Sequence, residues 1–243
     1  MPAPNPAPPT ATRDESYFFE TIVFQVAPLR LLVEETLFKV PRHQFERRSE
    51  IFASIFTLPT PADTKVEGSD DACPMLLEGV AATDFRRFLK VLYPLDAIPA
   101  IPNLSKDEWI SVLKLATLWR FLEIRALALT RLDLALQNDC VQQILLGRQY
   151  DVVSWLRDGY GALARREEPI TLEEARAIGW ETALKVFTAR ETTLAAVYGR
   201  PNLYLQRVDA ESVFAEEIRA TEAAGAGYEM PVKRVHRKKG KNT

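Results

Sequence analysis

The stretch SKDEWISVLKLATLWRF, residues 105–121, constrains the fold more than any other part of the chain. Ser105 and Glu108 form a capping box, in which each side chain satisfies a backbone N–H left open by the first turn of a helix, and Leu104 stands where it staples onto Trp109. Beyond this start, the polar residues Asp107, Ser111, Lys114 and Thr117 form only a narrow stripe. A helix that is apolar around most of its circumference must be covered on most sides, so this is read as the central helix of a domain. No apolar run approaches the roughly 20 residues that span a bilayer, so no membrane is expected to provide that cover. With 243 residues, 47% of them apolar and 9% aromatic, the chain has the material for one large core or two small ones.

The segments before this helix read as strands and helices that provide its cover. In YFFETIVFQV, Ile22, Phe24 and Val26 alternate with Thr21, Val23 and Gln25 as in a half-buried strand, and Thr36 to Val40 is a second strand. Pro41 suits a helix start. After it, Phe45, Phe52, Ile55 and Phe56 mark one buried face of a single helix, with Arg42, Glu46, Arg47 and Glu50 on the wet side. A polar linker from Pro59 to Ala72 leads to PMLLEGV, a short strand. A helix in TDFRRFLKVLYPL follows, with Thr83 as its cap and Phe85, Phe88, Leu89, Leu92 and Tyr93 on one face until Pro94. EIRALALTRLDLAL packs a further helix on the central one. VQQILLGRQYDV, SWLRDGYGALARR, TLEEARAIGWETALKVF and ESVFAEEIRA then continue in helices; Thr171 with Glu174 is a second capping box, and Asp209 is read as the cap of the last helix. No repeat of 20–50 residues is visible.

The ends read as tails. Five prolines fall in the first nine residues, and periodicity is lost after Ala220. Residues 1–16 are therefore expected to be a disordered Pro-rich tail and 224–243 a disordered basic one. The net charge is -2, but Lys233, Arg234, Arg237, Lys238, Lys239 and Lys241 crowd the C-terminus and leave the remainder at -8. That cluster is a candidate nuclear-import patch. Direct contact with nucleic acid is not expected, because no groove-reading module accompanies it. Two distant cysteines, Cys73 and Cys140, without a signal-peptide-like start, favour a reducing, intracellular setting, cytoplasm and/or nucleus.

Several separated blocks, V-x-F-x-V, L-F-K-V-P, F-E-R-R-S-E-I-F-x-x-x-F, D-F-R-R-F-L-K-V-L-Y-P and L-x-x-A-T-L-W-R-F, resemble a BTB/POZ domain over residues 17–137. In detail the chain is similar to BTB-domain proteins of mushroom-forming fungi. The resemblance implies an α+β, mostly α fold: a helical cluster with a small flanking sheet, followed over 138–223 by an α-helical extension. It also implies a non-enzymatic module that binds proteins, with Ile22, Phe24, Phe45, Arg48, Phe52 and Phe56 at or bordering a surface that pairs with another copy or another BTB protein. The region from Tyr93 to Trp109 and the helices after 138 are where relatives that act as adaptors touch a cullin scaffold. A nuclear DNA-associated regulator using the basic tail is a further alternative. Thr21 stands where the family usually has aspartate and Pro41 where it usually has histidine, so the charged pocket of some members' dimer interface is not expected. APLRLLV, residues 27–33, makes the link between the first two strands about seven residues longer than a tight hairpin needs. It lengthens the hairpin, bulges from it, or is retained intron sequence.

No catalytic constellation is legible. The two histidines are His43 and His236, and no G-x-S-x-G, H-E-x-x-H or phosphate-binding lysine loop occurs. The lone G-x-G, Gly159 to Gly161, falls in a helical segment with no strand before it. Cys73, Cys140 and His43 do not make a zinc set. No cofactor and no metal is expected.

Overall fold

Leu29, Leu31 and Val33 are buried, while Pro28, Arg30 and Leu32 between them are only partly so. This alternation makes residues 28–33 a strand in the computed structural model, which describes residues 12–18, 28–59, 66–94, 101–197 and 210–229. The strand is β2 (Pro28–Val33), following β1 (Thr12–Phe18), and it runs antiparallel to β3 (Thr36–Pro41) with every residue from Pro28 to Val33 in register. Of the readings of 27–33, the lengthened hairpin is the one seen: residues 28–33 pair with β3 as an inner strand. The two-residue turn Glu34–Glu35 needs a left-handed residue, and Glu34 supplies it at φ 53°. The candidate first strand, with Ile22, Phe24 and Val26, lies outside the described residues.

β1 runs parallel to β3 on one side of the sheet. The tail reading of residues 1–16 is thus corrected over Thr12–Ser16, which Asp14 anchors. Its carboxylate, 4% exposed as a residue, accepts from the N–H groups of Ser16 and Tyr17 and pairs with Arg86.

After Pro41 the expected single helix is two, α1 (Arg42–Arg48) and α2 (Glu50–Thr57). Ser49 between them is extended at φ -123°, ψ 120°. Its buried hydroxyl accepts from the N–H of Phe52 at 3.1 Å and donates to the carbonyl of Trp119 at 2.6 Å. This is an N-cap that also ties α2 to the central helix. β4 (Met75–Leu76) adds to β2 in parallel, giving the sheet order β1-β3-β2-β4. α3 (Ala82–Leu92) buries Phe85, Phe88, Leu89 and Leu92, as its spacing predicts. Thr83 is not its cap. Ala81 holds that position, and the carboxylate of Glu34 receives the N–H of Ala82 at 3.1 Å.

The predicted central helix is α4 (Lys106–Leu118), with both bonds of its capping box formed. Trp109, Val112, Leu113, Leu115 and Ala116 are all buried, with Trp119 just beyond its end. Phe45, Phe52, Phe85, Phe88, Trp119 and Phe121 meet there edge to face, several centroid pairs lying 4.8–5.8 Å apart. α5 (Leu122–Ala135) packs on α4.

The later helices are α6 (Cys140–Tyr150), α7 (Val153–Arg165), α8 (Leu172–Ile178), α9 (Trp180–Val197), α10 (Ala210–Val213) and α11 (Ala215–Gly225), followed by one 3-10 turn (Ala226–Tyr228). Thr171 and Glu174 form their capping box at α8. The helix predicted to continue through it breaks at Gly179, whose φ of 92° disfavours a side chain. The G-x-G segment lies inside α7. A Cβ on Gly159 would come within 2.8 Å of the carbonyl oxygen of Cys140, so this glycine allows α6 and α7 to touch. Asp209 lies outside the described residues.

The C-terminal reading is corrected over 224–229, because α11 and the turn pack onto the body. Arg148 donates to Glu217 at 2.6 Å, to the Tyr160 hydroxyl at 2.9 Å and to Thr182 at 2.7 Å. Arg120 donates to the carbonyl of Gly227 at 2.7 Å, and the buried guanidinium of Arg125 lies 4.4 Å from the centroid of the Tyr228 ring.

Candidate interaction surface

Six residues were expected to border a contact surface, and the structure separates those it describes. Phe45 and Phe52 are 0% exposed and belong to the aromatic core, so their role is corrected from contact to packing. Arg48, at the end of α1, is exposed; it donates to the side chain of Gln44 at 2.7 Å and of Glu123 at 3.2 Å. Phe56 is partly buried, with the guanidinium of Arg42 3.9 Å from its ring centroid. Ile22 and Phe24 lie outside the described residues, as do Lys233, Arg234, Arg237, Lys238, Lys239 and Lys241.

The apolar residues here that face solvent are ones the periodicity concealed. Because Ser49 interrupts the helix, α2 is rotated relative to α1. Ile55, expected inside, is 39% exposed, alongside Ile51 at 38% and Leu58 at 68%. Offsets of four and seven residues line up Ile51, Ile55 and Leu58, the residue that ends α2, in one row beside the buried Phe52. Arg47, Arg48 and Glu50 lie exposed near its start, where Glu50 accepts from Arg120 at 2.7 Å. The result is an apolar strip with charged residues at its edge, fixed from behind by Ser49 and Phe52. The signal for this break was present in the sequence: serine followed at once by glutamate is a helix start.

Pro41 opens this region. Its carbonyl accepts the hydroxyl of Tyr93 from the end of α3. Burial pushes that phenol well above its ordinary range, so it remains a neutral donor.

On another face, the entry to α4 and the end of α5 enclose a groove of about 510 Å³. Its walls include Ile101, Pro102, Leu104, Trp109 and Leu134, with Lys106 and Arg131 among the polar lining. Lys106 is paired with Asp139 at 3.3 Å.

Asp84 joins α3 to α4, receiving Ser111 at 2.7 Å and Lys114 at 2.9 Å. Burial alone would raise its carboxyl, but those two bonds and the nearby cations hold it below the ordinary carboxylate value. Among the described residues no three histidine, cysteine or acidic side chains are grouped to hold a metal, and no helix is long and apolar enough to cross a membrane. No protein-family model matches the chain, and no curated protein is significantly similar to it.

Proposed function

We propose that the chain is a non-enzymatic protein–protein interaction module: a BTB/POZ-type domain over residues 17–137 that pairs with a second copy or a related domain and carries an α-helical extension. The observation that supports this reading is the row formed by Ile51 and Ile55 on α2 and Leu58 just past its end. Water solvates such a row poorly, and its removal into an interface gains roughly 25 cal/mol per Å² of apolar surface. The neighbouring Arg47, Arg48 and Glu50 supply the polar rim that fixes orientation. Phe45 and Phe52 contribute indirectly, by holding α2 rigid. Sedimentation of the full chain and of Ile51→Glu/Ile55→Glu tests the reading. The full chain is expected to dimerise at about micromolar concentration and the variant to remain monomeric with an unchanged thermal midpoint. A full chain that stays monomeric overturns pairing with a second copy and leaves only pairing with a related domain.

The groove beside α4 supports a second reading, an adaptor that recruits a cullin scaffold through the region from Tyr93 to Trp109. On that reading a cullin co-purifies with the chain, and Leu134→Arg abolishes the association without affecting dimerisation.

A further inference from the structure

A second apolar row lies on α9. Trp180, Leu184 and Phe187 are 60%, 66% and 55% exposed, and steps of four and three residues align them along the helix. Thr182, Val186 and Ala189, on the other side of α9, are buried. The helix is therefore packed against its own chain on one side and carries three large side chains in water on the other.

We propose that this row is a second self-contact, in which α9 pairs antiparallel with α9 of another copy about a two-fold axis between Ala183 and Leu184. The row is complementary to itself. Reversal about that midpoint brings Trp180 of one copy level with Phe187 of the other. It also sets the two Leu184 side chains about 1.5 Å apart along the helix axis. The charges agree. Glu181 and Lys185, ion-paired at 2.7 Å within one chain, lie on the same flank of the row. A two-fold axis of this kind keeps like flanks together, so Glu181 of one copy falls about 1.5 Å along the axis from Lys185 of the other. Each copy thus presents an acid to the other's base, and the rim is neutral without a different partner.

Three side chains are less than the roughly 800 Å² that each partner contributes to a standard interface. The α9 contact is therefore the weaker of the two and gains from copies already joined at α2. To that extent the consequence rests on the α2 reading: two isologous contacts on one chain assemble beyond a dimer.

Sedimentation velocity of the full chain across a concentration series, beside Leu184→Glu/Phe187→Glu, Ile51→Glu/Ile55→Glu and the four-fold variant, tests this. The full chain is expected to form species larger than a dimer and the α9 variant to stop at the α2 dimer. The α2 variant is expected to be monomeric at about micromolar concentration and to dimerise through the weaker α9 contact only well above it, and the four-fold variant to be a monomer throughout. If the α2 variant leaves the assembly unchanged while the α9 variant reduces it, the α2 reading fails and the α9 contact stands. An α9 variant with wild-type melting that sediments like the full chain overturns the proposal. Geometry is checked separately with Cys73→Ser and Cys140→Ser in place. Leu184→Cys, near the axis, is expected to form an inter-chain disulfide in oxidised glutathione at least ten-fold faster than Glu191→Cys; equal rates overturn the two-fold arrangement.

Discussion

Phe45 and Phe56 lie on adjoining short helices, and their surroundings set very different costs for losing them. The Phe45 ring is fully buried, edge-on to Phe52 at 4.8 Å and to Phe121 at 5.7 Å. Phe45→Ala removes those contacts and leaves a cavity, a loss of about 3–5 kcal/mol in urea unfolding. Phe56 is partly exposed beneath Arg42, and Phe56→Ala is expected to cost less than half as much, including about 0.5–1 kcal/mol of cation–π attraction. Glu174 gives a residue-scale prediction with a pH sign. Two hydrogen bonds from Arg166, at 2.7 and 2.8 Å, hold its carboxyl below the ordinary 4.5, helped by the backbone N–H of Thr171. A carboxyl that is more acidic folded than unfolded contributes stability above the unfolded value and loses it as pH falls through the folded one. Glu174→Gln is therefore expected to melt below wild type at pH 7, by about 0.5–1.5 kcal/mol. The gap should narrow once the pH drops below 4.5. A gap that stays constant from neutral to acid would show that the charge of Glu174 contributes nothing.

At the scale of elements, legibility followed the locality of the signal. Both capping boxes, the central helix and the buried face of α3 could be read because each is set by residues within one or two turns. β2 could not. Pro28–Val33 carries leucine at both positions 31 and 32, which blurs its alternation, and what makes it a strand is its place between β3 and β4. The residues on either side of Ser49 and Gly179 likewise continue a helical period across a single non-helical position. Periodicity alone therefore reads one helix where there are two, and this is why Ile55 was expected inside and Ile51 was missed. Phe45 and Phe52 were placed correctly on the buried face by their spacing, and only the family resemblance set them at a contact surface. Leu31→Ala separates the readings of 27–33. As a 0% exposed residue of an inner strand, Leu31 is expected to cost about 2–5 kcal/mol when truncated. In a bulged or surplus link the same change would leave the urea midpoint unmoved.

For the molecule as a whole, the division at residue 137 is a boundary of sequence pattern that the packing crosses. Leu146, Tyr150, Val152 and Trp155, from α6, α7 and the link between them, join the core built on α4. Ile144, Leu156 and Tyr160, from the same two helices, join the second cluster with Ile178, Val186, Phe214 and Ile218. Trp155 also donates from its indole to Asp133 of α5, and Tyr228 at the far end of the chain returns to Arg125 on that helix. Without residues beyond 137 the first core would lose this cover and expose apolar surface, so the two halves are expected to unfold together. Hydrogen exchange can show this, because cooperative units share one opening free energy. Trp155→Ala is expected to lower that energy by about 3–5 kcal/mol. The loss of protection should appear equally in α3 and α4, which share a core with Trp155, and in α8 and the start of α9, whose buried Ile178 and Val186 belong to the second cluster. Loss confined to α3–α5, with α8 and α9 protected as before, would mean that the helical extension is an independent folding unit and that α6–α7 joins the halves without coupling them.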